Sequence, residues 1–203
     1  MELNTSTKEA IINTSAIKIK KRDGRAEPLD IDKIHFVVEE ACEGLAGVSS
    51  SQIEINANIQ FYDGMTTKEV QQILVRSAND LISLEAPNYQ YAAARLLSYD
   101  VRKEAHGQYE YMPLLKLILR NIKAGVYDKG IVEKYNKTEI KKMNTWIKRE
   151  RDLDFTYAGL RQVVDKYLVQ DRSSGDLFET PQDMYMMIAA TLFAEYPTKT
   201  RMT

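Results

Sequence analysis

Ile19-Lys20-Lys21-Arg22-Asp23-Gly24-Arg25-Ala26-Glu27-Pro28-Leu29-Asp30, closed by Lys33, reads as a short strand, a tight turn, a second short strand and a helix start. Asp23-Gly24 between two extended runs is a hairpin signal, because Gly24 can take the positive φ that a primed two-residue turn needs. Lys20, Lys21 and Arg22 therefore enter the turn together, and Lys33 lies on the first turn of the helix that follows. A polyanion could lie between those two places, held by cations from both and by the N–H groups of a helix start. By charge clustering alone the commoner reading is a solvated basic hairpin.

Outward from this stretch the chain is mostly helical. Asp30 or Asp32 can cap a helix with Ile34, Val37, Val38, Ala41, Cys42 and Leu45 at i, i+3, i+4, i+7, i+8 and i+11, one apolar stripe in which Cys42 reads as a packed thiol. Ser49 to Ser51 can cap a second helix carrying Ile53, Ile55, Ile59 and Phe61, broken by Asp63-Gly64. Thr66 and Glu69 stand at capping-box spacing before a third helix. Pro87 suits the first turn of a fourth helix, which holds Tyr91, Ala94, Leu97 and Val101.

Beyond Gly107-Gln108 the pattern gives helices over Met112 to Lys123, Lys129 to Tyr135, Thr138 to Arg149 and Thr156 to Tyr167. Tyr167 to Gln170 and Asp176 to Glu179 read as a second hairpin, and a last helix starts at Pro181 and stops at Pro197. The expected organisation is a tail over residues 1–16, a hairpin with four helices over 17–106, and a helical region with a second small hairpin over 107–203. The fold class is mainly α.

Composition narrows the function. Lys plus Arg number 28 against 29 Asp plus Glu, so any anion site must be local, with no general attraction for nucleic acid. One cysteine and two histidines are too few for a four-ligand zinc site. No run approaches the length of a membrane span, and the default expectation is a soluble cytoplasmic protein with no membrane partner. Phosphate loops, dinucleotide fingerprints, His-Glu-x-x-His and cysteine pairs are missing, and no residue stands out for bond-making chemistry.

Lys21-Arg22-Asp23-Gly24 with Glu27 and Asp30-x-x-Lys33-Ile34, then Gln60-Phe61-Tyr62-Asp63-Gly64-x-Thr66-Thr67, then Ala86-Pro87-Asn88-Tyr89-Gln90-Tyr91-x-Ala93-Ala94-Arg95-Leu96, together form a recognisable pattern. It resembles the ATP cone of class Ia ribonucleotide reductase large subunits. The likeness continues through Gly125-x-Tyr127-Asp128, Phe155-x-Tyr157-Ala158, Lys166 to Gln170 and Leu192 to Pro197, nearly the whole chain after residue 16. The Lys-Arg-Asp-Gly element alone would indicate only an ATP cone; the later motifs point to the large subunit.

The resemblance implies that ATP or dATP, with Mg2+ accompanying the nucleotide and no metal held by the chain itself, binds as an allosteric effector. Residue by residue it places Lys21, Arg22, Lys33, Thr67 and Lys103 at the triphosphate, and Ile19, Glu27 and Asp30 at the adenine side. The chemistry agrees. A micromolar nucleotide needs roughly 8 kcal/mol, and charge-assisted hydrogen bonds at about 1.5–3 kcal/mol each supply much of it.

Where this chain has Gln71 and Asp100 the family commonly has histidine, and Asn is common at the position of Asp30, so a weakened dATP response is expected. The family's helix over Thr180 to Tyr196 leads into a barrel carrying three catalytic cysteines. The expectation is that this barrel comes from another chain or is truncated, and that the 203 residues alone are inactive. Implied partners are the remainder of the large subunit, a radical-generating small subunit and a second large subunit in a homodimer. Two alternatives stay open: a stand-alone nucleotide-sensing ATP cone, though not of the repressor type that also carries a zinc ribbon, and a helical interaction module that binds no nucleotide.

Overall fold

The computed structural model describes residues 17–21 and 23–202, so the segment over 1–16 and Arg22 lie outside the described residues. The chain is mainly helical and divides into two compact units at Leu97–Ser98.

In the first unit β1 (Lys18–Lys20) pairs antiparallel with β2 (Ala26–Pro28), placing Lys18 opposite Pro28, Ile19 opposite Glu27 and Lys20 opposite Ala26. The turn between them is one residue longer than a primed two-residue turn. Lys21 N–H donates to Arg25 O at 2.8 Å, Gly24 N–H donates to Lys21 O at 2.9 Å, and Gly24 has φ 85° while no described non-glycine residue has positive φ. A primed type I′ turn would need positive φ at Asp23 too; one left-handed glycine closing a three-residue loop avoids that strain.

Asp30 caps α1 (Ile31–Cys42), accepting from Lys33 N–H at 3.1 Å, and Ile34, Val38 and Ala41 form its buried face. Cys42 lies at the edge of that face, half-buried, and burial pushes its thiol up to about 11, which leaves it unreactive. Ser49 caps α2 (Ser50–Asn58), which packs on α1 and on α3 (Thr67–Asn79). Its buried face is Ile53 and Ala57. Ile55 and Ile59, the other apolar pair of this segment, are 63% and 71% exposed. Both pairs have i, i+4 spacing, and packing selects the stripe that includes the smaller Ala57, where helices approach closely.

The first part of α4 (Tyr89–His106) closes this unit, beginning two residues after Pro87. Tyr89 Oη accepts from Ser49 N–H at 3.0 Å and donates to Gln52 Oε1 at 2.7 Å, while Arg95 Nη1 donates to Glu43 O at 2.6 Å near the end of α1. A cation at a helix C-terminus satisfies carbonyls that the helix leaves without partners.

The second unit holds the rest of α4, α5 (Leu114–Lys123), α6 (Gly130–Lys134), α7 (Lys137–Trp146), a 3₁₀ turn (Arg149–Asp154), α8 (Tyr157–Lys166), α9 (Pro181–Leu192) and α10 (Thr198–Arg201). Leu114, Leu117, Ile118, Tyr135, Ile140 and Met143 make its apolar core, with α5 packed on α7. The expected second hairpin is reduced to one bridge, Gln170 with Leu177, because Asp171 turns the chain through its own side chain, accepting from Ser173 N–H at 2.8 Å. Pro197 ends nothing by itself: it stands at the N-cap position of α10, whose Arg201 donates to Lys134 O and Ala194 O.

Buried charge organises this unit. Asp183, fully buried, lies 2.6 Å from Arg149 Nη2 and 3.2 Å from His106 Nε2, and accepts from Thr180 Oγ1 at 2.7 Å. Burial would raise its carboxyl, but hydrogen bonds from His106 and Arg149 and the charge of Arg149 outweigh that and hold it at about 2. Met112 N–H donates to His106 Nδ1 at 3.1 Å, so the ring proton sits on Nε2, facing Asp183. Nearby Asp152, 1% exposed, is pushed up to about 7 by burial, against the lowering pull of Gln182 and Arg149.

Candidate functional site

Strand β1 is satisfied along both edges. One edge meets β2; on the other, Lys18 N–H donates to Asp63 Oδ1 at 2.8 Å, Gly64 N–H donates to Lys18 O at 2.8 Å, and Lys20 N–H donates to Met65 O at 2.8 Å. Lys20 and Thr66 form a parallel bridge. The basic hairpin is thereby fastened to the segment that enters α3, and Thr67 is the first residue of that helix. Thr66 and Glu69 make a reciprocal capping box, and Glu69 also accepts from Tyr62 Oη at 2.7 Å. The Tyr62 hydrogen bond, then those from Thr66, hold the Glu69 carboxyl at about 2, so this start of α3 stays locked down to strongly acidic pH.

The charges of the hairpin and the start of α1 pair locally. Lys21 Nζ lies 2.7 Å from Glu27 Oε1, and Lys33 Nζ lies 2.8 Å from Asp30 Oδ2. The hydrogen bond between Asp30 and Lys33 lowers the carboxyl and raises the ammonium, and Glu27 adds to the rise on Lys33. Arg25 turns back on Asp23, with Nε donating to Oδ2 at 2.7 Å. Arg25 and Lys33 are exposed, Lys33 with 73% of its side chain accessible, while Lys21 and Glu27 keep 33% and 37%. Exposed pairs contribute little to stability, so either lysine can exchange its carboxylate for a stronger anion at small cost.

The structure thus groups Lys21, Glu27, Asp30 and Lys33, with Thr67 beside them through the Lys20–Thr66 bridge. Ile19 stands opposite Glu27 in the hairpin with its side chain buried. Arg22 lies outside the described residues, and Lys103 is an exposed residue of α4 in the second unit. Gln71 Nε2 donates to Leu96 O at 2.8 Å, so its amide ties α3 to α4. Asp100 is half-buried on the same helix, in the second unit.

Sequence reasoning passed over the cluster around Asp183. Its one local signal is Thr180-x-x-Asp183, a capping box that the structure contains; the partners His106 and Arg149 come from distant segments. Among the described residues no group of three or more His, Cys, Asp or Glu is placed to hold a metal ion, and no helix is long and apolar enough to cross a membrane.

Comparison with known proteins gives this geometry a family. Residues 17–104 match the ATP cone domain and residues 153–203 match the ribonucleotide reductase all-alpha domain. Relatives align across both. The alpha subunit of ribonucleoside-diphosphate reductase 1 of Escherichia coli (strain K12) is 44% identical over 91% of this chain and 24% of its own length. The chain belongs to the ribonucleoside-diphosphate reductase alpha-subunit family. Reductase alpha subunits of Haemophilus influenzae (strain ATCC 51907 / DSM 11121 / KW20 / Rd), 38% identical over 92% of this chain and 25% of that protein, and of Enterobacteria phage T4, 40% identical over 89% and 24%, agree. The chain spans about a quarter of the length of these reductase relatives. Within it, the grouped charges of the hairpin, α1 and α3 fall inside the ATP cone.

Proposed function

We infer that the first unit binds ATP or dATP as an allosteric effector, and that the chain serves as the N-terminal regulatory portion of a ribonucleoside-diphosphate reductase large subunit. The observation that carries this reading is the fastening of β1 to the entry of α3, which sets Lys21 and Thr67 on adjoining backbone while Lys33 stands on the first turn of α1. Lys21 and Lys33 fit the phosphate groups: both are accessible, and both already bind an anion, a carboxylate of the protein, in the way they would bind a phosphate oxygen. Arg22 joins the phosphate set, and Ile19, Glu27 and Asp30 the adenine side, on the family resemblance. Glu27 and Asp30, freed from their lysines, become acceptors suited to an adenine amino group.

A Mg2+ ion would travel with the triphosphate and offset part of its charge. The reading assigns effector binding to these residues; ribonucleotide reduction would belong to the assembled enzyme, with the remainder of the large subunit and a radical-generating small subunit as partners. Titration calorimetry with ATP and with dATP tests it. Saturable binding is expected for both, weakened about tenfold or more in Lys21→Ala and in Lys33→Ala, the loss of one charge-assisted contact each. Undiminished binding in both variants contradicts the assignment.

A further inference from the structure

The second unit carries a groove that the nucleotide reading does not use. It runs along α5 beside α7, and its floor is apolar, with Leu115 and Leu119 among the lining residues and Leu119 47% exposed. Lys116, Leu119 and Lys123 stand at i, i+3 and i+7, so they share one exposed stripe of α5. Lys141 of α7 lines the same groove, and so does Arg120. The Arg120 guanidinium is fixed, donating to Ala105 O at 2.6 Å and Phe178 O at 2.9 Å. No acidic residue lines the groove, and among the described residues no carboxylate pairs with Lys116, Lys123 or Lys141.

An apolar floor under an all-cationic rim is complementary to one kind of occupant. We propose that this groove docks an acidic segment of a second polypeptide carrying leucine or phenylalanine anchors, its apolar side chains over Leu115 and Leu119 and its carboxylates against the three lysines. The ten residues of α5 extend about 15 Å, the length of a few helical turns of such a segment. The rim is what selects it. With the chain's net charge at -1, attraction for an acidic partner arises from this local field and weakens as salt is added.

The test is fluorescence anisotropy on the full chain with a labelled peptide of about twelve residues, glutamates and aspartates with two leucines four positions apart, enough to cover α5. Companion peptides replace the leucines by alanine or the acids by lysine, and anionic phospholipid vesicles run in parallel. Saturable binding of the acidic leucine peptide is expected, falling about tenfold in Leu119→Asp and in the double variant Lys116→Glu with Lys123→Glu. These positions are exposed, and circular dichroism checks that each variant folds. Equal binding by wild type and variants, equal binding of the alanine peptide, binding to vesicles but not peptide, or self-association lost in Leu119→Asp without peptide binding would each overturn the proposal.

Discussion

The two units handle charge in opposite ways. In the first, Lys21 with Glu27 and Lys33 with Asp30 form pairs at the surface, close in sequence and at least a third accessible to solvent. In the second, Asp183 is sealed with Arg149 and His106, and Asp152 is buried beside them. An exposed pair costs little to break and re-form with another anion, whereas a buried carboxylate that loses its partner strands a charge away from water. Exchangeable charge suits a ligand site; fixed charge holds an architecture. The proposed binding role accordingly falls on the hairpin, α1 and α3, and a structural one on the cluster that joins α4, the 3₁₀ turn and α9.

The largest effect should come from breaking the fixed cluster. Arg149→Ala leaves Asp183 without its closest cation, at 2.6 Å, and should destabilise the second unit by about 3–5 kcal/mol in chemical denaturation. A loss below ~1 kcal/mol would mean that Asp183 is solvated after all. Acid should act on the same contact. The carboxyl held at about 2 lies below its unfolded value, so its contribution is present above about pH 4 and lost as pH falls toward 2.

Asp152 should respond with the opposite sign. Its carboxyl is raised to about 7, so as pH climbs from about 4 the unfolded chain ionises first, and the folded state loses stability until the pH passes 7. Asp152→Asn removes that loss. Melting curves should show the variant more stable by on the order of 2–4 kcal/mol at about pH 8, converging with wild type near pH 4. A constant difference across that range would contradict burial as the cause.

The smallest effect belongs to an exposed tie in the first unit. His35 Nδ1 lies 2.8 Å from Glu54 of α2, whose hydrogen bond and charge, with Glu39, raise the imidazole. The tie between α1 and α2 is complete below the ordinary histidine range and fades as pH rises through the raised value. His35→Gln should lower the melting temperature slightly at about pH 6 and leave it unchanged at about pH 9.

Local chemistry explains why some of this was legible beforehand. The Asp30 cap and the Thr66–Glu69 box each depend on residues three positions apart, where spacing dictates contact. The buried face of α2 was not legible, because two stripes share one period and only packing against α1 and α3 decides between Ile53 with Ala57 and Ile55 with Ile59. The burial of His106 carried no sequence signal, since Asp183 and Arg149 reach it from remote segments. The β1 contacts with Asp63, Gly64 and Met65, which set the hairpin against α3, were equally hidden, being long-range backbone bonds.

The contrast between exchangeable and fixed charge is tested most directly by amide hydrogen exchange of the full chain with and without saturating ATP. Protection should rise in the hairpin and at the starts of α1 and α3, the elements of Lys21, Lys33 and Thr67, with no change around Thr180 and Asp183 at the start of α9. An unchanged hairpin, or nucleotide-dependent protection centred on Asp183, would contradict the account.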